Sequence, residues 1–176
     1  LERLGDRLGH RFEDPGHLQL ALTHRSLSGS RNNERLEFLG DSLLGFVVAD
    51  ELFRRHAHAH EHELTLMRAS IVRGATLADA ARGIGLGEFL RLGAGARKSG
   101  GFRRESILAD ALEAVVGAVY LDGGLDAARD VVRRLLGEHI DAARPERIDK
   151  DPKTRLQEHL QGRGEPLPRY EVVETS

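Results

Sequence analysis

Two stretches of the sequence place pairs of acidic residues at helical spacing among apolar residues. Glu37 and Asp41 stand four residues apart within NERLEFLGDSLLGF, and Asp110 and Glu113 stand three residues apart within ESILADALEAVVGAVYL. Residues at these spacings lie on one face of a helix. Carboxylates that converge in an apolar setting repel one another unless a cation neutralises them. Because oxygen ligands suit Mg²⁺ and Mn²⁺, the two pairs predict a divalent-cation site.

A glycine follows each acid pair on the same helix face, one turn later. These glycines are Gly45 and Gly117. Since glycine lets two backbones approach closely, we expect the two helices to cross there and to bring the four carboxylates together. No Lys or Arg lies on either acid face. In the alternative interpretation each pair faces solvent, and Glu34 and Glu37 are merely placed well near a helix N-terminus.

The spacing of apolar residues predicts helices that can hold these pairs, and no convincing strand among the first 145 residues. Predicted helices cover residues 17–27, 33–55, 64–73, 74–83, 105–121 and 125–144. Between them we expect a helical turn at 86–95 and a basic, glycine-rich loop at 96–104. Residues 1–145 therefore predict an all-α domain.

The end of the chain has a different pattern. The stretch PERIDKDP, residues 145–152, carries proline and charge without apolar periodicity, which is typical of a linker, and we place the linker at 146–151. KTRLQEHLQGRG predicts one short helix, and RYEVVETS predicts a single alternating strand. Because one strand is not stable alone, residues 152–176 predict the truncated start of a small α+β domain.

Composition excludes some classes of protein. Cysteine is absent, which excludes disulfides and cysteine-ligated metals and fits a cytoplasmic origin. No apolar run is long enough to predict a membrane span, and the first residues lack the pattern of a signal peptide. The net charge is −2, so any signal for nucleic-acid binding must be local.

Four histidines alternate in the segment HAHAHEHE. His56 and His60, like His58 and His62, have the i, i+4 spacing of zinc ligands on a helix. Alternating histidines in a turn between helices have no fixed geometry, however. We therefore expect a solvated turn that binds metal at most adventitiously.

The acid-bearing segments also resemble a known family. NERLEFLGDSLLG is similar to the signature of ribonuclease III, a family of endoribonucleases specific for double-stranded RNA. LRLGAGARKSGGFRRESILADALEAVVGAVYLDGG resembles a second block of that family. DPKTRLQEHLQGRGEPLPRYEV resembles the start of its double-stranded-RNA-binding domain. The resemblance implies an all-α endonuclease domain at 1–145, a linker at 146–151 and an RNA-binding fragment at 152–176.

The resemblance also implies roles for the acids. Glu37, Asp41, Asp110 and Glu113 match the family's magnesium ligands, Asp41 and Glu113 among them as catalytic residues, with Mn²⁺ as a substitute. Glu34 matches a further, supporting acid. Hydrolysis by such a site leaves 5′-phosphate and 3′-hydroxyl ends in double-stranded RNA, and the family acts in processing of rRNA and mRNA.

Partner contacts follow from the same resemblance. Phe38 matches the aromatic residue that contacts the partner subunit of a homodimer. In the RNA-binding fragment, four residues match positions that face the minor groove: Thr154, Gln157, Glu158 and Gln161. The basic loop is a candidate phosphate clamp, or a solvated loop without function, and its charged residues are Arg97, Lys98, Arg103 and Arg104.

Two other functions fit part of the pattern. A protein with this fold could bind duplex RNA without cutting it, but both acid pairs are complete. An all-α phosphohydrolase acting on small nucleotides usually carries His-Asp metal pairs, which this sequence lacks, and it has no reason to carry an RNA-binding fragment.

Overall fold

The computed structural model describes residues 1–27, 29, 31–145, 157, 160–166 and 168. The described residues up to 145 form seven α-helices and two short 3₁₀ turns, the latter at Leu86–Phe89 and Gly101–Arg103. The helices are α1 (Glu2–Leu8), α2 (Pro15–Ala21), α3 (Glu34–Arg55), α4 (Glu61–Ile71), α5 (Gly74–Gly83), α6 (Ala94–Lys98) and α7 (Glu105–Ala142). The β structure among the described residues is one isolated bridge between Thr23 and Arg91. The predicted all-α class is confirmed.

The chain divides into two compact units, residues 1–145 and 146–176. All seven helices belong to the first unit. In the second unit, residues 160–162 are helical, inside the segment that was predicted as a short helix. The predicted strand at 169–176 lies outside the described residues.

Helix α7 is the centre of the first unit. Its first half is buried on nearly every side, and it packs against α2, α3 and α5. Many of the buried side chains there are small, and Ala111, Ala114 and Ala118 are fully inaccessible to solvent. None of the buried side chains among the described residues is aromatic. The core is filled instead by close approach of neighbouring helices, which small residues allow.

The helix predicted at 105–121 and the helix predicted at 125–144 meet at Gly124. Both belong to α7, but Gly124 has φ 79° and ψ −172°, which is not helical. Glycine adopts such a backbone without the steric cost that a side chain imposes. The sequence DGG, where the first of these helices was predicted to end, therefore bends the chain, and a helical segment lies on either side of the bend.

Asp122 fixes the N-terminal segment beside this bend. Its carboxylate accepts hydrogen bonds from the backbone N–H groups of Glu13 (3.0 Å) and Asp14 (2.9 Å) and lies 2.9 Å from Nε2 of His10. Burial raises the pKa of Asp122, but these hydrogen bonds and the charge of His10 outweigh it and leave the pKa below its usual value. Asp122 therefore has a structural role in joining the start of the chain to α7.

The N-terminal helices differ from the prediction. Helix α1 was not predicted. Gly5 weakens its helical propensity, but Leu4 and Leu8 are buried one turn apart and hold it to the core. Helix α2 starts at Pro15 with Asp14 as its cap. It ends at Ala21 instead of residue 27, since the backbone of Leu22 and His24 pairs with that of Arg91.

Two segments between helices also differ in detail. The predicted loop at 96–104 contains the end of α6 and the 3₁₀ turn Gly101–Arg103. In the histidine segment, His60 caps α4 and His62 lies within that helix, so only part of the segment is a turn. Within the described residues, these histidines form no cluster with metal-ligand spacing, and no helix there combines the length and apolar character needed to cross a membrane.

Candidate active site

The site is built where α3 crosses α7. A Cβ atom added at Gly40 would lie 1.8 Å from the carbonyl oxygen of Glu113, and one added at Gly117 would lie 2.5 Å from the carbonyl oxygen of Leu36. The two backbones are therefore in direct contact. The prediction that Gly45 forms this crossing was wrong, because a Cβ there would meet nothing within 4 Å. Gly117 was predicted correctly, and its counterpart is Gly40.

The crossing brings three of the four predicted carboxylates together. One oxygen from each of Glu37, Asp110 and Glu113 lies within 4.8 Å of the other two, and all three residues are half-buried. Asp41 is exposed and stands outside this group of three. Its charge nevertheless acts on Glu113 and on Glu37. We call the three converging residues together with Asp41 the acid cluster.

Repulsion and burial shift the protonation of the acid cluster. Burial raises the pKa of Glu113 to about 7, and the charges of the other three acids contribute to the same rise. Burial, followed by the charge of Asp110, raises the pKa of Glu37, and burial raises that of Asp110. Burial is the main cause of all three shifts, and the proximity of like charges adds to the rise in the pKa of Glu113 and of Glu37.

Such a cluster fits a hard divalent cation. All its donors are carboxylate oxygens, which Mg²⁺ and Mn²⁺ prefer. A cation would relieve both the mutual repulsion and the cost of burial that raise the pKa of Glu113. The observed donor set and its electrostatics are thus compatible with the predicted metal.

A basic residue that was not predicted lies beside the cluster. Arg25 pairs with Glu34 at 3.5 Å, and its charge lowers the pKa of both Glu37 and Asp110, against the larger effect of burial. Glu34 is exposed and also accepts a hydrogen bond from the amide of Asn32 at 2.8 Å. The acid faces of α3 and α7 do lack basic residues, but the segment after α2 supplies one.

His24 belongs to the same segment. It is half-buried, and burial and then Arg25 lower its pKa, although the charges of Asp110 and Glu34 act in the opposite direction. The prediction placed residues 24–27 inside a helix, which hid this position. The only signal in the sequence was the closeness of His24 and Arg25 to the acid-bearing segment.

The basic residues predicted to bind RNA lie just before α7. All four side chains, Arg97, Lys98, Arg103 and Arg104, are exposed. Arg104 is the residue before the first turn of α7, and its charge contributes to lowering the pKa of His24. Asp110 lies six positions after Arg104, or about 9 Å further along the axis. The basic residues therefore begin close to the acid cluster.

The remaining predicted residues are placed as follows. Phe38 on α3 is 78% exposed. Gln157 is half-buried and Gln161 is exposed in the second unit. Thr154 and Glu158 lie outside the described residues.

Comparison with known proteins identifies the family. The family model described as Ribonuclease-III-like matches residues 14–140, which include every helix of the site. The chain belongs to the ribonuclease III family. Curated relatives agree: a ribonuclease 3 of Pseudomonas fluorescens is 59% identical over 99% of this chain and 76% of its own length. One from Vibrio vulnificus is 55% identical over 98% of this chain and 76% of its own length.

Solved structures of related proteins share the fold. The nuclease domain of ribonuclease III from Campylobacter jejuni, described for flexibility in the region involved in its dimer formation, superposes with a TM-score of 0.76. It is 40% identical and covers 78% of this chain and 96% of its own. Dicer from Pichia stipitis, at 26% identity, gives a TM-score of 0.59 over 93% of this chain and 75% of its own. Because ribonuclease 3 relatives and a ribonuclease III nuclease domain match most of this chain, the chain is an endoribonuclease.

Proposed function

We propose that this endoribonuclease hydrolyses phosphodiester bonds of double-stranded RNA in a magnesium-dependent reaction that leaves 5′-phosphate and 3′-hydroxyl groups at staggered ends. The observation that carries the proposal is the convergence of Glu37, Asp110 and Glu113 at a close helix crossing. Membership of the ribonuclease III family supports the reaction type.

The acid cluster would hold the ion. Glu37, Asp110 and Glu113 supply converging oxygens, and Asp41 completes the set from the solvent side. When bound, Mg²⁺, or Mn²⁺ as a substitute, supplies positive charge that stabilises the phosphate in the transition state and favours deprotonation of the attacking water. Asp41 and Glu113 are proposed as the catalytic acids of the set, and Glu34 as a supporting acid at its edge.

Exposed basic side chains before α7 would hold the RNA backbone. Arg97, Lys98, Arg103 and Arg104 are free to reach phosphates because they are exposed. Contacts to phosphates and 2′-hydroxyls recognise the shape of a duplex, since the A-form major groove is too narrow for side chains to read. These four basic residues form a local basic patch. Through this patch a chain with net charge −2 would bind a polyanion.

A homodimer would supply two such sites. Phe38, Phe46 and Phe53 are 78%, 52% and 71% exposed, and their spacing places them on one face of α3. A cavity of about 320 Å³ lies beside Phe46 and Phe53, between α3 and α4. Exposed apolar surfaces of this kind mark protein interfaces. Two-fold symmetry presents two equal sites, so each subunit could cut one strand and produce staggered ends.

The second unit is proposed to be the start of a double-stranded-RNA-binding domain, after a linker at 146–151. Thr154, Gln157, Glu158 and Gln161 would contact the minor groove of the duplex. Since the proposed substrates are structured transcripts, we propose a role in processing rRNA and mRNA in the cytoplasm.

An end-labelled RNA duplex tests the function. With Mg²⁺, the chain should cut it into fragments that carry 5′-phosphates, and should leave free nucleotides unchanged. Duplex binding without cleavage would favour a binding protein, and hydrolysis of nucleotides alone would favour a small-molecule phosphohydrolase. Chelation should abolish cleavage, and Mn²⁺ should restore it.

A further inference from the structure

We propose that His24 donates a hydrogen bond from its Nε2–H to a phosphate oxygen of the RNA strand held at the acid cluster. This assignment rests on the proposed function, since it names a substrate contact of the same site. His24 would then bind the substrate in addition to the acid cluster and to the basic residues before α7.

Local hydrogen bonds select the tautomer of His24. The backbone N–H of Ser26 donates to Nδ1 of His24 at 3.1 Å, and a backbone N–H can only donate. Nδ1 therefore carries no hydrogen. The hydroxyl of Ser26 accepts from the N–H of Gly93 at 3.0 Å and lies 2.8 Å from Nδ1, so its own hydrogen is available to Nδ1. In the neutral ring the remaining hydrogen must then be on Nε2.

The backbone around His24 is held from two sides. The N–H of His24 donates to the carbonyl of Arg91 at 3.1 Å, and the N–H of Asn33 donates to the carbonyl of Thr23 at 2.9 Å. The chain at Gly93 passes so close that a Cβ there would lie 2.1 Å from the carbonyl oxygen of Ser26. Because Asn33 immediately precedes α3, the position of His24 is coupled to the helix that carries Glu37.

In the part of the chain that the structure describes, the Nε2–H group has no protein acceptor. The hydrogen bonds of the ring among the described residues all involve Nδ1, and Nε2 is not one of the solvent-inaccessible polar atoms that lack a partner. An N–H group that is fixed in direction and open to solvent can donate a hydrogen bond to a ligand without first breaking a hydrogen bond within the protein. Such preorganisation reduces the cost of binding.

The surrounding charges favour a phosphate as the acceptor. The positive charges of Arg25 and Arg104 act on His24, and so do the negative charges of Asp110 and Glu34. A strand whose phosphate approaches the acid cluster would place neighbouring phosphates beside these two arginines. The Nε2–H of His24 would then make the kind of charge-assisted hydrogen bond that phosphate oxygens accept.

Two substitutions separate donation by Nε2 from the structural role of the ring. His24→Asn keeps an acceptor two bonds from Cβ, where Nδ1 receives the Ser26 N–H, and loses the donor at Nε2. His24→Gln instead carries an amide nitrogen three bonds from Cβ, like Nε2, and loses the acceptor. His17→Asn is the matched control, because His17 is a half-buried histidine of α2 whose nearest acid is Asp14 at 3.9 Å.

Two readouts should be compared for these variants. One is duplex affinity in EDTA, and the other is kcat/KM for duplex cleavage in Mg²⁺. His24→Asn should lose about 10- to 100-fold in kcat/KM, as expected for a hydrogen bond to a charged group, and should also bind the duplex more weakly. His24→Gln should lose less than His24→Asn in both readouts, and His17→Asn should match wild type.

The outcomes distinguish the inference from the function. If His24→Asn matches wild type, or if His24→Gln is impaired as much as His24→Asn, His24 is not a donor to RNA. If wild type binds the duplex without cutting it, the proposed function fails, while the affinities in EDTA still decide the role of His24.

Chemically altered duplexes identify the acceptor. A methylphosphonate at the contacted phosphate, next to the cut, should weaken wild type and leave His24→Asn no weaker than before. If a 2′-deoxy substitution shows this pattern instead, the acceptor is a 2′-hydroxyl and the phosphate assignment is wrong.

Discussion

Gly40 and Gly117 face each other where α3 crosses α7, and a Cβ atom built on Gly40 would lie 3.1 Å from the backbone nitrogen of Gly117. No side chain separates the two helices at this point. Glu37 lies almost one turn before Gly40, and Glu113 lies about one turn before Gly117. The glycine contact is therefore what sets the distance between the carboxylates of the two helices.

Gly40→Ala should disrupt this crossing. The added methyl group would overlap the carbonyl oxygen of Glu113, and backbone atoms cannot move aside as a flexible side chain can. We expect a loss of stability of about 1–3 kcal/mol or more and weaker Mn²⁺ binding, measured by urea unfolding and calorimetry.

Gly45→Ala is the matched control for that experiment. It lies on the same helix, in a place where an added Cβ meets nothing, and should stabilise α3 by roughly 0.5–1 kcal/mol. Equal effects of the two substitutions would mean that the helices do not depend on close contact at Gly40.

Glu113→Gln should stabilise the metal-free protein at high pH. The pKa of Glu113 rises from the ordinary 4.5 to about 7 on folding, so the folded state holds a proton that the unfolded state releases. Stability falls as pH rises from about 4.5 to 7, and the full cost is present above pH 7. The rise in pKa corresponds to about 3 kcal/mol, and screening by solvent at this half-buried group reduces the cost to roughly 1–3 kcal/mol.

Unfolding of Glu113→Gln and wild type in EDTA at pH 5 and pH 8 measures this effect. The variant should gain stability at pH 8 and gain less at pH 5, whereas Glu138→Gln, an exposed site on the same helix, should change little. Mg²⁺ at ten times its Kd should add about 1.4 kcal/mol to wild type and less to the variant. A gain that is the same at both pH values would exclude repulsion within the acid cluster as its cause.

Phe38→Glu should weaken the proposed homodimer. The side chain is 78% exposed in the single chain, so the substitution should leave the fold of each subunit intact, while a charge in an apolar contact is costly. Sedimentation at micromolar concentration should show more monomer. Ala57→Glu, which adds the same charge at an exposed site in the turn after α3, should not change the association. A dimer equally strong in both variants would remove Phe38 from the interface.

Replacing Arg97 and Lys98 by alanine should reduce the salt dependence of RNA binding. Each phosphate contact contributes about one unit to the slope of log K against log salt concentration, so we expect the slope to fall by about two. Arg82→Ala removes an exposed arginine that is paired with Asp79 on α5 and should leave the slope unchanged. If the double variant has the wild-type slope, the basic residues before α7 are solvated charges only.

The periodicity of apolar residues predicted the larger helices well, because burial of an apolar face determines where they form. The predicted helix at 74–83 coincides with α5, and that at 33–55 differs from α3 by one residue. Periodicity failed where long-range backbone pairing decided the structure. The end of α2 depends on hydrogen bonds to Arg91, more than sixty residues away. No residue near position 22 predicts these hydrogen bonds.

The acid cluster was predictable for a related reason, and only in part. Spacing within each helix identified which carboxylates share a face, and the structure brings Glu37, Asp110 and Glu113 together. The crossing point was assigned to Gly45 because it lies on the acid face. The helices cross at Gly40 instead. The crossing point depends on how both helices pack along their length, and the spacing of residues within one helix does not determine that packing. Arg25 was missed because it reaches the site from another segment.

Cleavage by Glu113→Gln tests the central claim most directly. An end-labelled RNA duplex is incubated in Mg²⁺ with wild type, Glu113→Gln and Glu138→Gln, and duplex binding of each is measured in EDTA. Loss of one ligand should remove transition-state stabilisation, about 100-fold or more in rate, with binding nearly unchanged, while Glu138→Gln should cut like wild type. If Glu113→Gln cleaves the duplex at the wild-type rate, the acid cluster is not the catalytic metal site.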